Sequence, residues 1–404
     1  MAEKIQLGWI DYSNEHRNKV MAVLHALSAP DAVDEIGIGV IRDGFADILF
    51  PGTSTVQTRA KYFFIVPYIL MELEREKNIT TRSLIDKLGK TEIELIKTLN
   101  KDDVDGVIGR RAGSKLKRKP SSIYWNGLRT FGIFKYNNLS LDGYARAVCG
   151  IKEHKNQLSS YGHEEKGAKS DDADVMQGDT LGGFWRCILP KPNWKEDISI
   201  NLKYEEAKYL RERIIKAEAS KDSLFAFILK NNYKEVLDNT EFDAIGDLLP
   251  LSDNIKVDYD MAKNFGKFIY GANIRYNVIL SNNKNQEAME AWKMWINSAF
   301  VKNEFAGYDF YQVIKRLKIG NGKLIRFLSR WKEKVVTGNI DEIDNLIIER
   351  EIELKGKERA KLKNSKAYVY KQGDWLGGGS LQYRLKNAQR LMVDIYSGLE
   401  GEND

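Results

Sequence analysis

One stretch, residues 35–68 (EIGIGVIRDGFADILFPGTSTVQTRAKYFFIVPY), constrains this chain more than any other. Asp43 and Asp47 stand four apart, so on a helix they share a face with Cβ atoms about 5–6 Å apart. Phe50, Pro51 and Gly52 stop that helix, because Pro-Gly is a strong turn signal. Thr53, Ser54 or Thr55 is then expected to cap a second helix, whose free N–H groups and positive dipole end suit an anion such as phosphate. Gln57, Arg59 and Lys61 follow on its first turns, and Tyr62, Phe63 and Phe64 run into an apolar interior. A polar end leading into a buried helix makes a pocket wall. The same residues also describe a plain core helix whose Arg59 pairs with an aspartate, because ion pairs mimic sites.

The rest of the chain is dominated by apolar stripes at helical spacing, for example Met261, Phe265, Phe268 and Ile269, or Leu324, Phe327, Leu328 and Trp331. The pattern predicts a mainly α, multi-helix protein with a few short strands near 184–202 and 367–372. Residues 11–28 read as a helix capped by Ser13. Residues 81–100 read as a pair of helices separated at Gly89, and segments 205–216 and 258–276 as amphipathic helices. With 404 residues the chain is long enough for two or three domains. Residues 152–180 are polar and Gly/Ser/Asp-rich without periodicity. This places a linker over 151–180, between a helical domain at 1–150 and a mainly helical domain at 181–404.

Charge must be read by arrangement, since a net +6 is mild. Residues 110–119, RRAGSKLKRK, hold Arg110, Arg111, Lys115, Lys117, Arg118 and Lys119 with no acid. Tyr124, Trp125, Arg129 and Phe131 follow directly. Cations that neutralise phosphate, interleaved with flat side chains that stack on bases, suit a nucleic-acid surface; the same run also fits a solvated loop ahead of a core helix that buries Trp125. A second basic cluster, KGKERAKLKNSK, lies at 355–366. A glycine-rich turn at 373–379 leads through Ser380, a candidate helix cap and phosphate contact, into LQYRLKNAQRLMVDI. It lacks the Lys-Ser/Thr ending of a nucleotide-binding loop, so no ATP is expected. The DEIGIG stretch at 34–39 is an incomplete match to a phosphate-holding helical hairpin turn.

The cysteines, Cys149 and Cys187, build neither a disulfide framework nor a cysteine zinc site. Four histidines at scattered positions give no metal-ligand spacing. Residues 1–6 lack the apolar region of a signal peptide. The run 62–71, broken by Pro67, is too short to span a bilayer. A cytoplasmic protein without metal or cofactor is the expectation.

GWIDYS at 8–13, the block from DEIGIG through FPGTSTVQTRA to VPY, SSIYWNGLRTFGI and LKGKERAKLKN together resemble a bacterial family catalogued as a domain of unknown function. The likeness extends over nearly the whole chain. That family sits among phage-defence genes. The resemblance implies an anti-phage DNA glycosylase that excises glucosylated hydroxymethylcytosine from double-stranded phage DNA and leaves abasic sites. It supplies no catalytic motif, so roles are assigned from chemistry. Breaking the C1′–N bond through an oxocarbenium-like sugar needs a carboxylate, and Asp43 or Asp47 fits. An extruded base needs a pocket, for which Thr53, Ser54, Gln57, Arg59 and Tyr62 are candidates. Arg110, Arg111, Lys115, Lys117, Arg118, Trp125, Arg129 and Ser380 are the candidate DNA contacts. Two other classes fit the same residues: a non-catalytic DNA-binding component of a defence complex, and a nuclease in which Asp43 and Asp47 hold Mg²⁺. A large parallel sheet would favour a uracil-glycosylase-like α/β fold instead.

Overall fold

The computed structural model describes residues 34–101, 105–161, 183–196, 198–239, 241–364 and 368–401. The helix expected over 11–28 and residues 162–180 of the expected linker lie outside them. Fifteen α-helices occur among the described residues. The first five are α1 (Gly39–Leu49), α2 (Tyr62–Arg75), α3 (Thr81–Leu99), α4 (Pro120–Thr130) and α5 (Leu141–Tyr161). Then come α6 (Tyr204–Lys216), α7 (Leu224–Asn231), α8 (Ile245–Leu248), α9 (Asp253–Leu280) and α10 (Gln286–Ile296). The chain closes with α11 (Ala299–Asn303), α12 (Tyr311–Arg316), α13 (Gly322–Thr337), α14 (Ile340–Lys355) and α15 (Leu385–Glu400).

The strands expected near 184–202 and 367–372 do not form among the described residues. Among the described residues the one strand-like pairing is an antiparallel bridge between Phe134 and Trp185. Pro190 and Pro192 remove ladder donors from the 184–202 segment, which turns over 192–196 instead. Near 370 the Asp374 carboxylate accepts from the Tyr368 hydroxyl and from Lys371 N at 2.8 Å, which folds the segment into a turn.

Gly89 does not separate a pair of helices, for α3 runs through it. A Cβ at Gly89 would lie 2.1 Å from Lys119 Nζ, so the glycine makes room for that lysine on the helix surface. At the start of α3, Thr80 and Ser83 form a reciprocal capping box.

The core centres on α2, which is buried nearly all round from Tyr62 to Met71 and packs on α3 and α4. Contacts also tie distant stretches of the chain together. α1 packs on α9, α15 packs on α6, and one hydrophobic cluster includes both Ile36 and Tyr396. The expected boundary at 150 falls inside α5, which continues to Tyr161. These contacts draw no line between a 1–150 and a 181–404 domain.

Candidate functional site

The FPGTSTVQTRA block is a loop fastened at nearly every residue. Thr53 Oγ1 donates to Phe50 O at 2.6 Å. Gln57 clamps the turn from within: its Nε2 donates to Gly52 O at 3.0 Å and its Oε1 accepts from Ser54 N at 3.1 Å. The Tyr124 hydroxyl accepts from Thr58 N at 2.9 Å and Arg59 N at 3.1 Å. Helix α2 starts only at Tyr62 and has no side-chain cap. The caps expected from Thr53, Ser54 or Thr55 are therefore absent, because Gln57 holds the loop in turns before the helix begins.

Arg59 takes the plainer of its two readings. Its Nε donates to both Asp394 oxygens at 2.9 and 3.0 Å, its Nη1 to Asp105 O at 3.0 Å and its Nη2 to Asn201 Oδ1 at 2.7 Å. Asp394 also accepts from Ala60 N at 2.7 Å. Next to it, Lys61 and Glu206 form a buried pair at 2.6 Å, and burial outweighs the glutamate in lowering the lysine's pKa. Tyr62 is buried, its hydroxyl accepts from Ile108 N at 2.8 Å, and burial pushes its phenol well up. Gln57, Arg59 and Tyr62 thus face the packing rather than an open pocket.

A polar cleft does form close by. It is lined by Asp34, Arg42, Thr55 and Asn273, and by the loop that carries Ser380, Arg384 and Lys386. Asp34 caps α1, accepting from Ile38 N at 2.6 Å and Gly39 N at 2.8 Å, so the helix amides there are already occupied. Asn273 on α9 donates to Gly379 O at 3.0 Å, and Asn277 accepts from Leu376 N and Gly377 N, both at 2.8 Å. These two amides hold the glycine-rich turn. Ser380 is exposed and accepts from Gln382 Nε2 at 2.9 Å. It caps no helix, because Tyr383 and Arg384 take φ of 49° and 65° and α15 begins only at Leu385. The room in the cleft is about 80 Å³.

Arg384 connects this cleft to the two α1 carboxylates. Its Nη1 donates to Asp47 Oδ1 at 2.6 Å and to Thr53 O at 3.0 Å, and its Nη2 to Asp43 Oδ1 at 3.3 Å. Arg42 Nε also reaches Asp43, at 3.3 Å. Asp43 and Asp47 share a face as their spacing requires, with side chains 45% and 60% exposed. Among the described residues no three His, Cys, Asp or Glu side chains cluster to hold a metal ion.

The basic run is only partly a surface loop. Arg111, Lys115 and Lys117 are exposed, whereas Arg110 pairs with Asp105 at 3.3 Å and Arg118 is half-buried, its pKa lowered by that burial. The aromatics expected to stack on bases are core residues. Trp125 is buried, donates to Leu139 O at 3.0 Å and packs on Phe134, Tyr144 and Trp185. Arg129 is spent on Asn137 O at 3.0 Å and Asn126 Oδ1 at 3.1 Å. The second basic cluster is likewise divided. Lys355 and Lys361 turn inward to Glu35, and Lys355 also to Glu351, around the Tyr276 hydroxyl, while Lys357, Arg359 and Lys363 are exposed.

Spacing gave no sign of Arg384, Asn273 or Asp394, since each acts on a residue over 100 positions away or more, on an element that reads locally as ordinary helix or turn. Also unforeseen are two buried carboxyls. Glu74 accepts from the Tyr144 hydroxyl and from Trp185 Nε1 at 2.7 Å. Glu92 caps α4 by accepting from Ser121 N at 2.5 Å and Ser121 Oγ at 3.0 Å. Burial pushes both up to about 7 against those hydrogen bonds.

Fold and site together define a mainly helical protein with a cation-lined cleft beside an exposed carboxylate pair. Residues 4–294 match the model of a family of unknown function, DUF6361, and the chain belongs to that family. The match takes in α1 and the FPGTSTVQTRA block but ends before Arg384. No curated protein and no solved structure matches the chain. No described helix is long and apolar enough to cross a membrane.

Proposed function

We propose that this protein is a DNA glycosylase of phage defence, excising glucosylated hydroxymethylcytosine from phage DNA to leave an abasic site. The observation that carries the reading is Arg384, which lines the cleft and holds both Asp43 and Asp47 at its rim. A phosphate entering the cleft competes for Arg384 and frees one carboxylate to face the sugar. The freed carboxylate stabilises the cationic sugar or orients water, and Arg42, Asn273 and Thr55 supply donors for the departing base. The cleft's room of about 80 Å³ is small beside ligand pockets of about 300–1,000 Å³. An extruded base therefore enters only when the turn at 378–380 moves outward.

The assay is release of base without metal. Protein in EDTA is expected to make alkali-labile sites in DNA carrying glucosylated hydroxymethylcytosine and none in unmodified DNA. A pocket built for a sugar leaves polar groups unpaired without it, at roughly 1–3 kcal/mol each. Asp43→Asn and Asp47→Asn are tested separately; loss of the essential carboxylate lowers the rate by about 10²-fold or more while DNA binding persists. Full activity in both variants removes them from the chemistry. No abasic sites on any modified DNA sinks the glycosylase reading.

A second reading has its own observation. Both carboxylates are half-exposed and already paired, which is how surface ion pairs behave. A non-catalytic DNA-binding component of a defence complex would look the same and would bind DNA without releasing base. The nuclease reading is weaker, because the Arg384 guanidinium sits where Asp43 and Asp47 would hold Mg²⁺.

A further inference from the structure

The turn between α12 and α13 lies against α1. A Cβ added to Gly44 would come within 3.1 Å of Leu317 Cδ1 and Cδ2, so that glycine lets the turn seat directly beside Asp43. At this seat Lys315, near the end of α12, and Lys318, on the turn, are exposed, and neither forms an ion pair among the described residues, whereas Arg326 further along α13 shares a groove with Glu349 and Glu353. Lys318 stands at φ 52°, and Gly320 and Gly322 on the same turn face open space. Neighbouring charges are accounted for: Arg316 pairs with Asp258 at 2.7 Å, Arg330 with Glu349 at 3.0 Å and Lys323 with Glu353 at 3.7 Å.

From this geometry we infer that Lys315 and Lys318 form a ledge that binds the phosphate backbone of duplex DNA and seats it over α1. The inference rests on the DNA-acting reading above and supplies something that reading lacks. Asp43, Asp47 and Arg384 together carry a net charge of −1, which repels a phosphate backbone. A duplex can lie close to them only if cations flank them. Arg42 and Lys386 supply that charge on the cleft side. The ledge supplies it on the side where Leu317 meets Gly44. Open glycines at the turn let a backbone approach without side chains in the way.

The test is binding of an unmodified duplex across a salt series by the full chain. Two variants are compared with the parent: Lys315→Glu/Lys318→Glu, and the neutral Lys315→Gln/Lys318→Gln. Thermal melts establish that both fold. Both are expected to lose affinity, the charge-reversed form by about tenfold or more at about 0.1 M KCl. The slope of log K against log salt is expected to flatten by about 0.9 for each phosphate no longer neutralised. Parental affinity and slope in the folded variants overturn the ledge while leaving the DNA-acting reading intact. A parent that binds no duplex at low salt overturns that reading as well. Variants that keep duplex affinity but lose binding to phosphatidylserine vesicles mark a lipid-facing surface and overturn the ledge.

Discussion

Arg59 and Arg384 both grip aspartates, and their surroundings separate them. Arg59 and Asp394 have side chains 17% and 6% exposed, and Asp394 also accepts from Ala60 N. Removing the carboxylate charge leaves a mostly buried guanidinium without its partner. Asp394→Asn is expected to lower unfolding free energy by about 3 kcal/mol, measured by urea denaturation. Asp47→Asn breaks a pair whose carboxylate is 60% exposed, and its stability is expected to stay within about 1 kcal/mol of the parent. That contrast lets a loss of activity in Asp47→Asn be read as chemistry rather than unfolding. The sequence showed that Arg59 was a candidate for an aspartate pair. It could not show that the aspartate lies 335 positions away, because no local period links the loop before α2 to α15. The same holds for Arg384, which reads as one more polar residue in an amphipathic run.

At the level of elements, periodicity worked where one helix face is buried and failed where tertiary packing chose the conformation. α6 and α9 follow their apolar stripes, while α3 runs on through Gly89, whose missing side chain leaves room for Lys119. The start of α15 is set by two left-handed residues, Tyr383 and Arg384, which no stripe announces. Two buried carboxyls join elements and give them a pH dependence. Glu74 on α2 ties to Tyr144 on α5 and to Trp185, and Glu92 on α3 caps α4. Both stand at about 7, above the 4.5 of a free glutamate. Below pH 4.5 folded and unfolded forms are both protonated and neither group opposes folding. Between about 4.5 and 7 the unfolded chain releases protons that the folded chain keeps, so each group lowers stability as pH rises. Above about 7 the loss is complete. In Glu74→Gln and Glu92→Gln this loss is absent. Their stability relative to the parent is therefore expected to rise between pH 5 and 7, by on the order of 2–3 kcal/mol each. Denaturant unfolding at several pH values measures it; a difference that stays flat with pH means the carboxyls are ionised in the folded protein.

Across the whole molecule, α15 sets the distance between two charged surfaces. It starts beside the cleft at Arg384 and reaches Arg59 at Asp394, ten residues on, a rise of about 15 Å. The Arg59 end also holds the start of the basic loop, through Asp105 O at 3.0 Å. Arg111, Lys115 and Lys117 are the members of that loop that stay exposed without an ion pair among the described residues. Since Trp125 and Tyr124 are buried, the loop has cations to offer but no stacking surface, so under the proposed function it would add affinity without sequence preference. Replacing Arg111, Lys115 and Lys117 with Ala is expected to weaken binding equally on modified and unmodified duplexes. The salt slope should flatten by up to about 2.7, at 0.9 per phosphate contact. The single-turnover rate of base release at saturating protein should not change, because the loop lies a helix-length from Asp43 and Asp47. A duplex bridging both surfaces must cover at least ~15 Å, and at 3.4 Å per base pair duplexes of only a few pairs cannot engage the loop and the cleft together. Such short duplexes are expected to bind the parent and the Ala variant alike. If the variant keeps the parental salt slope on long duplexes, residues 110–118 are a solvated loop and DNA contact is confined to the cleft and its flank.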